Sequence, residues 1–497
     1  MSEGSPRTSA SDGWERLDPR TIGTEPFSIA VKAAIPALAG VIGFGQAIGF
    51  GYAIPIVLLG VVAAGAIPWA TTTYRVTATH LEIRRGLLRR QTVTARLDRV
   101  RSVELEADVF HRVLGVVKVS VGTGVDEGGL ALDSLDVQVA ERLRGALLHG
   151  EHEAAAGAVA TAGYPSPSQP GRVIVGLDWS WLRFAPLNIA NLAVALGALG
   201  ALASQFDTVV EGRRAEEAWR WLRASDVPLL LALVAAGGLL LWVPAACVGY
   251  LVRWSGLSVT REQGKDGPTL RRVHGLLTQR ATTIEEARIR GAVMRRRALV
   301  GLVGGAELVV LTMGLETNET HLLPSAPRAV ADATMIDVLG EGDAVTAPTS
   351  AHGWSARRRT HLRNLRKALL ATAVAAIAAW RFDAVTIWLP SGVLVIGLLV
   401  ALLLAELRYR RLGHALTARY LISCTGTTTA ARTALEIDGI IGWRIHQSFF
   451  DRRLGLAQLT ATTAAGTERV VVPDVPLDEA IAVVSRATPW LVAEFAR

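Results

Sequence analysis

Long uncharged apolar runs alternate with polar stretches along this chain. No charged residue occurs between Lys32 and Arg75, and further apolar runs follow at 184–206, 227–252, 368–380 and 384–405. A helix needs about 20 mostly apolar residues to cross a bilayer, because its backbone amides must be satisfied within the helix. The pattern therefore predicts three pairs of transmembrane helices, at 29–73, 184–252 and 368–405, with a polar loop at 207–226 inside the second pair.

The run at 368–380 is short for a crossing. It spans a bilayer only if Lys367 and Arg381 extend toward the two interfaces. A buried core helix is the alternative interpretation for a run of this length. We favour a crossing, because an odd number of crossings would place the last polar segment on the opposite side from the first two.

The polar segments at 75–150, 253–345 and 407–497 resemble one another, which indicates an internal repeat. In each, a leucine is followed after four residues by a glycine, and a second glycine follows downstream. The second glycine comes 29 residues after the first in copies one and three, and slightly earlier in the middle copy. The motif positions are Gly86, Leu114 and Gly115 in the first copy, Gly275 and Gly301 in the second, and Gly426, Leu454 and Gly455 in the third.

Each repeat reads as several short strands followed by one helix. Alternation at 117–121 and the apolar run at 308–312 suit strands. Asp136 and Asp478 stand where a helical pattern begins and can cap it. We therefore predict a multi-pass α-helical membrane protein with three cytoplasmic α+β domains. The predicted organisation is a disordered tail at 1–28, domains at 74–150, 253–345 and 407–497, a linker at 151–176 and a basic linker at 346–367.

Charge near the membrane ends predicts the orientation. The chain has 52 Lys and Arg against 44 Asp and Glu, a formal net charge of +8. Basic residues gather beside the polar domains, whereas the loop at 207–226 has four basic and five acidic residues. Since positive loops remain in the cytoplasm, both termini and all three domains are expected there, in a protein of the cell membrane.

The sequence contains little catalytic chemistry. Its ten histidines show no zinc-hydrolase spacing, and its two cysteines are too few for a cysteine metal site. The cluster Glu151-His152-Glu153 opens an Ala-, Pro- and Ser-rich stretch, which is typical of a solvated linker. Phosphate-binding loops and nucleophile elbows are absent from the sequence. We expect no catalytic residue, no metal, no cofactor and no enzymatic activity.

The repeated order of a Gly-Leu-Leu turn with basic residues, an Arg-x-Leu-Gly-Leu-like segment and a closing helix resembles the bacterial pleckstrin-homology-like (PH-like) family of the YdbS and YdbT type. The three apolar pairs match its longer, YdbT-like members. This resemblance implies a seven-stranded, strongly bent antiparallel sheet capped by a C-terminal helix, and no established enzymatic chemistry. It also implies a smaller, single-domain YdbS-like membrane protein as a partner. The middle copy departs in spacing, and the third has Gly426-Thr427-Thr428 in place of Gly-Leu-Leu.

Arginines around the glycine turns are the candidate ligands for anionic lipid headgroups. A basic residue close to the negatively charged cytoplasmic leaflet gains about 1 kcal/mol. The alternative is that these arginines are solvated strand ends and topology signals. Nucleic acid is not an expected partner, because aromatic platforms are sparse. The candidates are Arg84, Arg85, Arg89, Arg90, Arg271, Arg272 and Arg280.

Two function classes remain open from the sequence. The favoured one is a noncatalytic membrane scaffold whose domains bind a protein partner or anionic lipid headgroups, in cell-envelope maintenance or stress resistance. The other is a transporter or lipid-handling protein that uses the helical pairs as a pathway. Gln46, Asn188 and Asn191 are the modest polar candidates for such a pathway, and each can equally make a helix-packing hydrogen bond.

Overall fold

The computed structural model describes residues 14–16, 70–77, 80–86, 91–96, 102–122, 130–149, 171–188, 227–264, 267–313, 319–381 and 388–490. The chain forms two compact units. The first comprises Met1–Leu177, Val252–Arg288 and Gly314–Thr317, and the second comprises Asp178–Leu251, Ile289–Met313 and Asn318–Arg497.

The described part of the first unit contains two antiparallel sheets. Its strands are β1 (Glu15–Arg16), β2 (Thr73–Val76), β3 (His80–Arg85), β4 (Gln91–Arg96), β5 (Ser102–Ala107), β6 (Val116–Gly122), β7 (Leu130–Asp136), β8 (Arg172–Gly176), β9 (Ser258–Gly264), β10 (Gly267–His274) and β11 (Gln279–Glu285). Strands β1 to β4 form one sheet in sequential order, and the other has the order β7-β6-β5-β11-β10-β9-β8. Helices α1 (Val109–Leu114) and α2 (Val137–His149) flank β6 and β7 along the chain, and a 3-10 helix covers Glu286–Arg288.

Two antiparallel sheets are also found in the described part of the second unit. Its strands are β12 (Ile289–Arg296), β13 (Gly305–Thr312), β14 (Glu319–Pro327), β15 (Gly413–Leu416), β16 (Tyr420–Thr425), β17 (Ala430–Glu436), β18 (Ile440–His446), β19 (Leu456–Thr463) and β20 (Arg469–Pro476). The sheet orders are β14-β13-β12-β17-β16-β15 and β18-β19-β20.

The remaining helices belong to the second unit, apart from the last turn of the first of them. They are α3 (Val227–Trp254), α4 (Ala298–Leu302), α5 (Arg328–Leu339), α6 (Asp343–Thr346), α7 (Gly353–Arg381), α8 (Trp388–Arg410), α9 (Phe449–Arg453) and α10 (Leu477–Ala487), with 3-10 helices at Trp179–Leu187 and Ile437–Gly439. Residues 252–254 of α3 lie in the first unit.

Each repeat begins with a short backbone pairing that precedes its apolar segment. Strand β1 pairs with β2, and β8 pairs with β9, across the intervening apolar run. In the third repeat an isolated bridge joins Ser350 to His414 on β15 in the same way. The ranges predicted as tail, linker and basic linker therefore each contribute backbone pairing to a sheet. Within the described residues, the first two repeats have seven strands each, β1 to β7 and β8 to β14.

The turn glycines adopt one conformation in all three repeats. Gly86, Gly275 and Gly426 have φ angles of 110°, 112° and 116°, a backbone region that residues with a side chain rarely occupy. A Cβ atom at Gly275 would lie 2.0 Å from the Thr278 carbonyl oxygen, and one at Gly426 would lie 1.8 Å from the Thr429 carbonyl oxygen. Both the φ angle and the close backbone approach require glycine here.

The second glycine of the middle repeat is Gly304 and not Gly301. Gly301 lies inside α4, whereas Gly304 has a φ of 75°, like Gly115 at 71° and Gly455 at 65°. Gly304 follows Gly275 by 29 residues, which is the spacing of the other two repeats. The middle repeat is therefore not shortened. Gly301 was misleading because it also stands between two apolar residues.

One backbone hydrogen bond recurs at these second glycines and identifies them as equivalent. The first residue of each repeat's C-terminal helix donates its amide to the glycine carbonyl. The distances are 3.2 Å from Val137 to Gly115, 2.9 Å from Arg328 to Gly304 and 3.0 Å from Leu477 to Gly455. The predicted caps differ: Asp136 accepts from the Gln138 amide at 2.8 Å, whereas Asp478 lies within the first turn of α10 and Pro476 occupies the cap position.

Each unit has its own apolar core. Alternation along the strands directs every second side chain inward, and the final helix of the repeat covers that face. In the first unit Leu81, Val119 and Leu143 belong to one buried cluster. In the second unit Leu421 and Val483 belong to another.

The expected multi-pass α-helical class is wrong. Among the described residues only two helical segments are long and apolar enough to cross a membrane, Gly237–Trp254 of α3 and Pro390–Arg410 of α8, and antiparallel sheets make up much of the rest. The first predicted pair lies almost entirely outside the described residues, as do residues 189–226 of the second. The first residues of the run at 184–206 form part of the 3-10 helix Trp179–Leu187, where Phe184 is buried.

The run at 368–380 explains part of this error. It forms the second half of α7, whose first half is rich in arginine. At 1.5 Å per residue the apolar run supplies about 20 Å of helix, against a hydrocarbon core of about 30 Å. A search for uncharged runs finds such a segment, but the segment is too short to cross without its charged neighbours.

Candidate anion-binding site

The arginines predicted beside the first glycine turn are described only in part. Arg84 and Arg85 end β3, and Arg89 and Arg90 lie outside the described residues. The Arg84 guanidinium stacks on the Trp14 ring at 3.7 Å, and Arg75 lies 5.1 Å from the centre of the same ring. Cation–π stacking of this kind fixes the guanidinium against Trp14, the residue that precedes β1.

The arginines beside the second glycine turn are engaged within the first unit. Arg271 forms ion pairs with Glu141 at 2.9 Å and with Glu262 at 3.6 Å. Arg144 bonds to the same two carboxylates, so that the cluster has balanced charge. Burial opposes ionisation of Glu141, but Arg144 and Arg271 outweigh it and lower the pKa of that carboxyl.

Arg272 and Arg280 are also held by the fold. Burial lowers the pKa of Arg272 to about 10, and its guanidinium lies 3.3 Å from the Thr282 hydroxyl. Arg280 on β11 forms an ion pair with Glu106 on β5 at 2.8 Å. Burial opposes its charge, but the Glu106 carboxylate raises the Arg280 pKa overall. The role of these arginines as headgroup ligands stays a prediction, and their contacts give each of them a structural role.

The second unit gathers five other arginines around one cavity. We call this site the arginine pocket and define it by Arg296, Arg328, Arg410, Arg411 and Arg432, which line a cavity of about 230 Å³. Ligand pockets for drug-sized molecules are larger, about 300–1,000 Å³. The volume therefore suits a small anion or a single headgroup phosphate.

Several elements bring these side chains together. Arg296 ends β12 and Arg432 lies on β17, where Met294 stands opposite Arg432 in the antiparallel register. Because alternate residues of a strand share a face, Arg296 and Met294 point to the same side of the sheet. Arg328 is the first residue of α5, Arg410 is the last of α8, and Arg411 follows it.

Neutral groups satisfy two of the arginines. Arg432 donates to the backbone carbonyls of Ala344 at 3.0 Å and Ala347 at 2.8 Å, and Arg411 donates to the carbonyl of Thr427. These bonds orient both guanidinium groups without neutralising them. Their positive charge is therefore retained at the cavity.

Few carboxylates balance the other three. Asp332 is the one acidic residue among the described residues that line the cavity, and it pairs with Arg328 at 3.4 Å. Arg410 pairs at 3.0 Å with Glu406, which lies one turn earlier on α8. The Arg296 side chain has no hydrogen bond or ion pair within the described part of the chain. Burial and then the nearby charges of Arg328 and Arg411 lower the pKa of Arg296, so an anion in the cavity would relieve this repulsion.

The pocket lies at the end of a candidate membrane span. The apolar segment Pro390–Arg410 finishes at Arg410, and only 11% of its window is buried within the protein. A core helix of a soluble protein would be mostly buried, so this helix is suited to lipid contact. Arg410 and Arg411 therefore stand at the C-terminal end of this apolar segment.

Sequence reasoning noted part of this site without recognising it. Arg410 and Arg411 were visible as basic residues after an apolar run, but Arg296, Arg328 and Arg432 are far away along the chain. The turn-centred search selected arginines beside Gly86 and Gly275. The structure shows instead that the convergence of charge depends on the β12–β17 pairing. Of the pathway candidates, Asn188 accepts a hydrogen bond from Arg297 at 3.0 Å, and Gln46 and Asn191 lie outside the described residues.

Comparison with known proteins relates the chain to bacterial PH domains. The family model described as "Bacterial PH domain" matches residues 31–151 and 368–487, which contain much of the first and third repeats. The chain is also similar to the UPF0699 transmembrane protein YdbT of Bacillus subtilis (strain 168), at 20% identity over 269 residues. That alignment covers 53% of this chain and 54% of YdbT, about half the length of each. No solved structure matches the chain. Residues 31–151 and 368–487 therefore match the bacterial PH domain family, and over about half its length the chain is similar to the transmembrane protein YdbT.

Proposed function

We propose that this chain is a membrane-anchored, noncatalytic protein that binds anionic lipid headgroups in the arginine pocket. The observation that carries the proposal is the convergence of five guanidinium groups, with one lining carboxylate, at the end of the span Pro390–Arg410. Guanidinium groups form strong paired hydrogen bonds with phosphate. The transmembrane designation of YdbT supports the membrane association.

The orientation and the scaffold role are parts of the same proposal. The cytoplasmic leaflet carries negative lipids, so PH-like domains on that side would meet the ligand that the pocket requires. Basic residues beside the apolar runs support this orientation. A protein bound to headgroups in this way can present its exposed sheets to a partner, and a smaller, single-domain YdbS-like membrane protein is the partner we propose.

Lipid binding by the purified full-length protein in neutral detergent tests the proposal. The ligand is a soluble short-chain phosphatidylglycerol, compared with phosphatidylcholine of the same chain length and with inorganic phosphate. We expect phosphatidylglycerol to bind more tightly than phosphatidylcholine. In the double variant Arg296→Gln/Arg411→Gln, we expect the affinity for phosphatidylglycerol to fall by roughly tenfold or more for each arginine replaced. The reason is that a charged hydrogen bond contributes about 1.5–3 kcal/mol.

A matched control removes the same charge elsewhere. Arg142→Gln/Arg486→Gln replaces two exposed arginines on α2 and α10 and should retain the wild-type preference. Equal affinity for the two lipids, or equal losses in the two double variants, would contradict the proposal. Equal affinity for phosphatidylglycerol and inorganic phosphate would show that the pocket recognises phosphate without the lipid.

A further inference from the structure

Among the described residues, eight strands lie at the margins of the four sheets, and β4 and β18 are two of them. Strand β4 pairs with β3, and β18 pairs with β19, and each lies at the margin of its sheet. An edge strand presents unpaired backbone amides and carbonyls to which another strand can add. The internal repeat indicates which strand fits each of these edges.

Strands equivalent to β18 and β4 pair with each other at two junctions between successive repeats. Strand β5 of the first repeat pairs with β11 of the second, and β12 of the second pairs with β17 of the third. The last three strands of each repeat are β5–β7, β12–β14 and β18–β20. In each junction, the first of these three strands pairs with the strand that follows the glycine turn of the next repeat. By position in the repeat, β18 is equivalent to β5 and β12, and β4 is equivalent to β11 and β17. These two strands are the unused members of a recurring pair.

The side chains of β18 support this equivalence. Leu105, Met294 and Ile445 occupy one position, because each faces the residue four places after the second glycine of its repeat. Leu105 is 7% exposed and Met294 is 3% exposed, whereas Ile445 is 40% exposed. An apolar side chain that the two existing junctions bury is therefore left accessible on β18.

The backbone of β18 is also prepared for the same pairing. Strand β12 has a register shift between Ile289 and Gly291, and its pairing with β17 begins at Gly291. Strand β18 has a register shift at the equivalent place, between Ile440 and Gly442. The regular segment beyond the shift, 442–446, matches the segment of β12 that accepts β17.

Strand β4 shows the complementary difference. Thr94 is equivalent to Thr283 of β11 and Ala434 of β17, since all three lie eight residues after a turn glycine. Thr283 and Ala434 are fully buried at their junctions, whereas Thr94 is exposed. The outer edge of β4 therefore lacks the cover that its equivalents have.

We propose that β18 of one molecule pairs antiparallel with β4 of a second copy of this chain. The register follows from the two existing junctions, where Leu105 faces Ala281 and Met294 faces Arg432. Both partners lie six residues after a turn glycine, so Ile445 faces Thr92 and Trp443 faces Thr94. Each copy has one edge of each kind, and the association is therefore head-to-tail and can continue beyond a dimer.

Disulfide crosslinking between two full-length proteins tests this register. Both carry Cys247→Ala and Cys424→Ser; one has Thr92→Cys and the other, distinguished by a tag, has Ile445→Cys. Oxidation of the mixture in detergent should give a crosslinked heterodimer. The control partner carries Ile441→Cys, four residues away on the same exposed strand and about 13 Å from the paired position, and should crosslink at least several-fold less.

A charge-swap series gives a second readout that does not depend on cysteine. Val93 is placed opposite Arg444, so Val93→Lys sets like charges against each other and should weaken self-association a few-fold. Adding Arg444→Glu should restore it. Sedimentation of the intact proteins over a concentration series measures both effects, and thermal melts check that each variant is folded.

Several outcomes would overturn the proposal. One is a wild-type protein that stays monomeric at every concentration reached. Another is equal crosslinking to Ile441→Cys and Ile445→Cys, which would indicate random collision. A third is a disulfide that forms only within a single chain carrying both Thr92→Cys and Ile445→Cys. The proposal would also be wrong if β18 binds a different PH-like protein while purified copies of this chain do not associate with each other.

Discussion

At the scale of single residues, a buried histidine pair makes the stability of the second unit depend on pH. His352 Nε2 lies 2.9 Å from His414 Nδ1, and burial followed by the proximity of His414 lowers the pKa of His352 to about 4. Because the ordinary value is about 6.5, the unfolded chain binds the proton more readily between these values. Stability is fully present above pH 6.5 and falls as the pH drops toward 4.

We expect protonation of His352 across this pH window to lower the free energy of unfolding of the protein by up to about 3 kcal/mol. Thermal melts of the purified protein between pH 7.5 and 4.5 measure the effect. His352→Gln should flatten the dependence, whereas His446→Gln, at an exposed position on β18, serves as the matched control. Identical pH profiles for wild type and His352→Gln would contradict this origin.

The turn glycines give a second prediction at this scale. Gly426→Ala should destabilise the protein more than Gly340→Ala, although both glycines have positive φ angles. At Gly340 a Cβ meets nothing within 4 Å, so the penalty is that of the left-handed backbone, about 1–2 kcal/mol. At Gly426 the Cβ also collides with the Thr429 carbonyl, and we expect roughly twice that loss or more. Chemical denaturation of both variants under the same conditions measures their losses of free energy of unfolding. Equal losses would contradict the steric argument.

Sequence alone identified Gly426 and its equivalents, since a leucine and a glycine at constant spacing are visible without a structure. It misplaced the second glycine of the middle repeat, because Gly301 and Gly304 stand close together and both have apolar neighbours. Only the backbone distinguishes them, through the φ angle of Gly304 and its hydrogen bond from Arg328. Local sequence similarity therefore detects the repeat, but it does not by itself assign the equivalent residue in each copy.

At the scale of elements, the arginines of α7 show why charge counts mislead. They read from sequence as topology signals, yet Arg359 is buried and pairs with Asp451, and Arg363 pairs with Asp474 at 3.2 Å. Asp451 is also held by Ser448, which caps α9. Two of the basic residues beside this apolar run therefore bind α7 to the rest of the second unit.

We expect Arg359→Gln to lower the free energy of unfolding by about 3 kcal/mol, because it leaves the mostly buried Asp451 without its charged partner. The neighbouring substitution Arg358→Gln removes the same charge from an exposed position and should change stability by less than about 0.5 kcal/mol. Thermal melts of both variants in one detergent measure the difference. Similar losses in the two variants would assign the effect to net charge.

At the scale of the whole chain, sequence predicted three repeats but not how their strands combine. The alternation of apolar and polar residues indicated strands, and the repeated motifs indicated PH-like repeats. The junctions were not predictable, because the β5–β11 pairing brings together Glu106 and Arg280, which are 174 residues apart. Short strands ahead of the apolar runs, such as β1 and β8, were read as tail and linker for the same reason, since their partners lie beyond the apolar segment.

Hydrogen exchange can test these sheet boundaries throughout the chain. Alternate amides of an antiparallel strand point to opposite neighbours, so a strand paired on both sides protects nearly all of its amides and an edge strand only about half. Strands β11 and β17 have partners on both sides, and their peptides should exchange slowly. Peptides covering β4 and β18 should retain a fast-exchanging fraction in dilute protein. That fraction should shrink as concentration rises, because the proposed β18–β4 pairing supplies the missing partner. Fast exchange throughout β11 or β17 would refute the merged sheets, and slow exchange of β4 and β18 at every dilution would show that their edges are covered within one molecule.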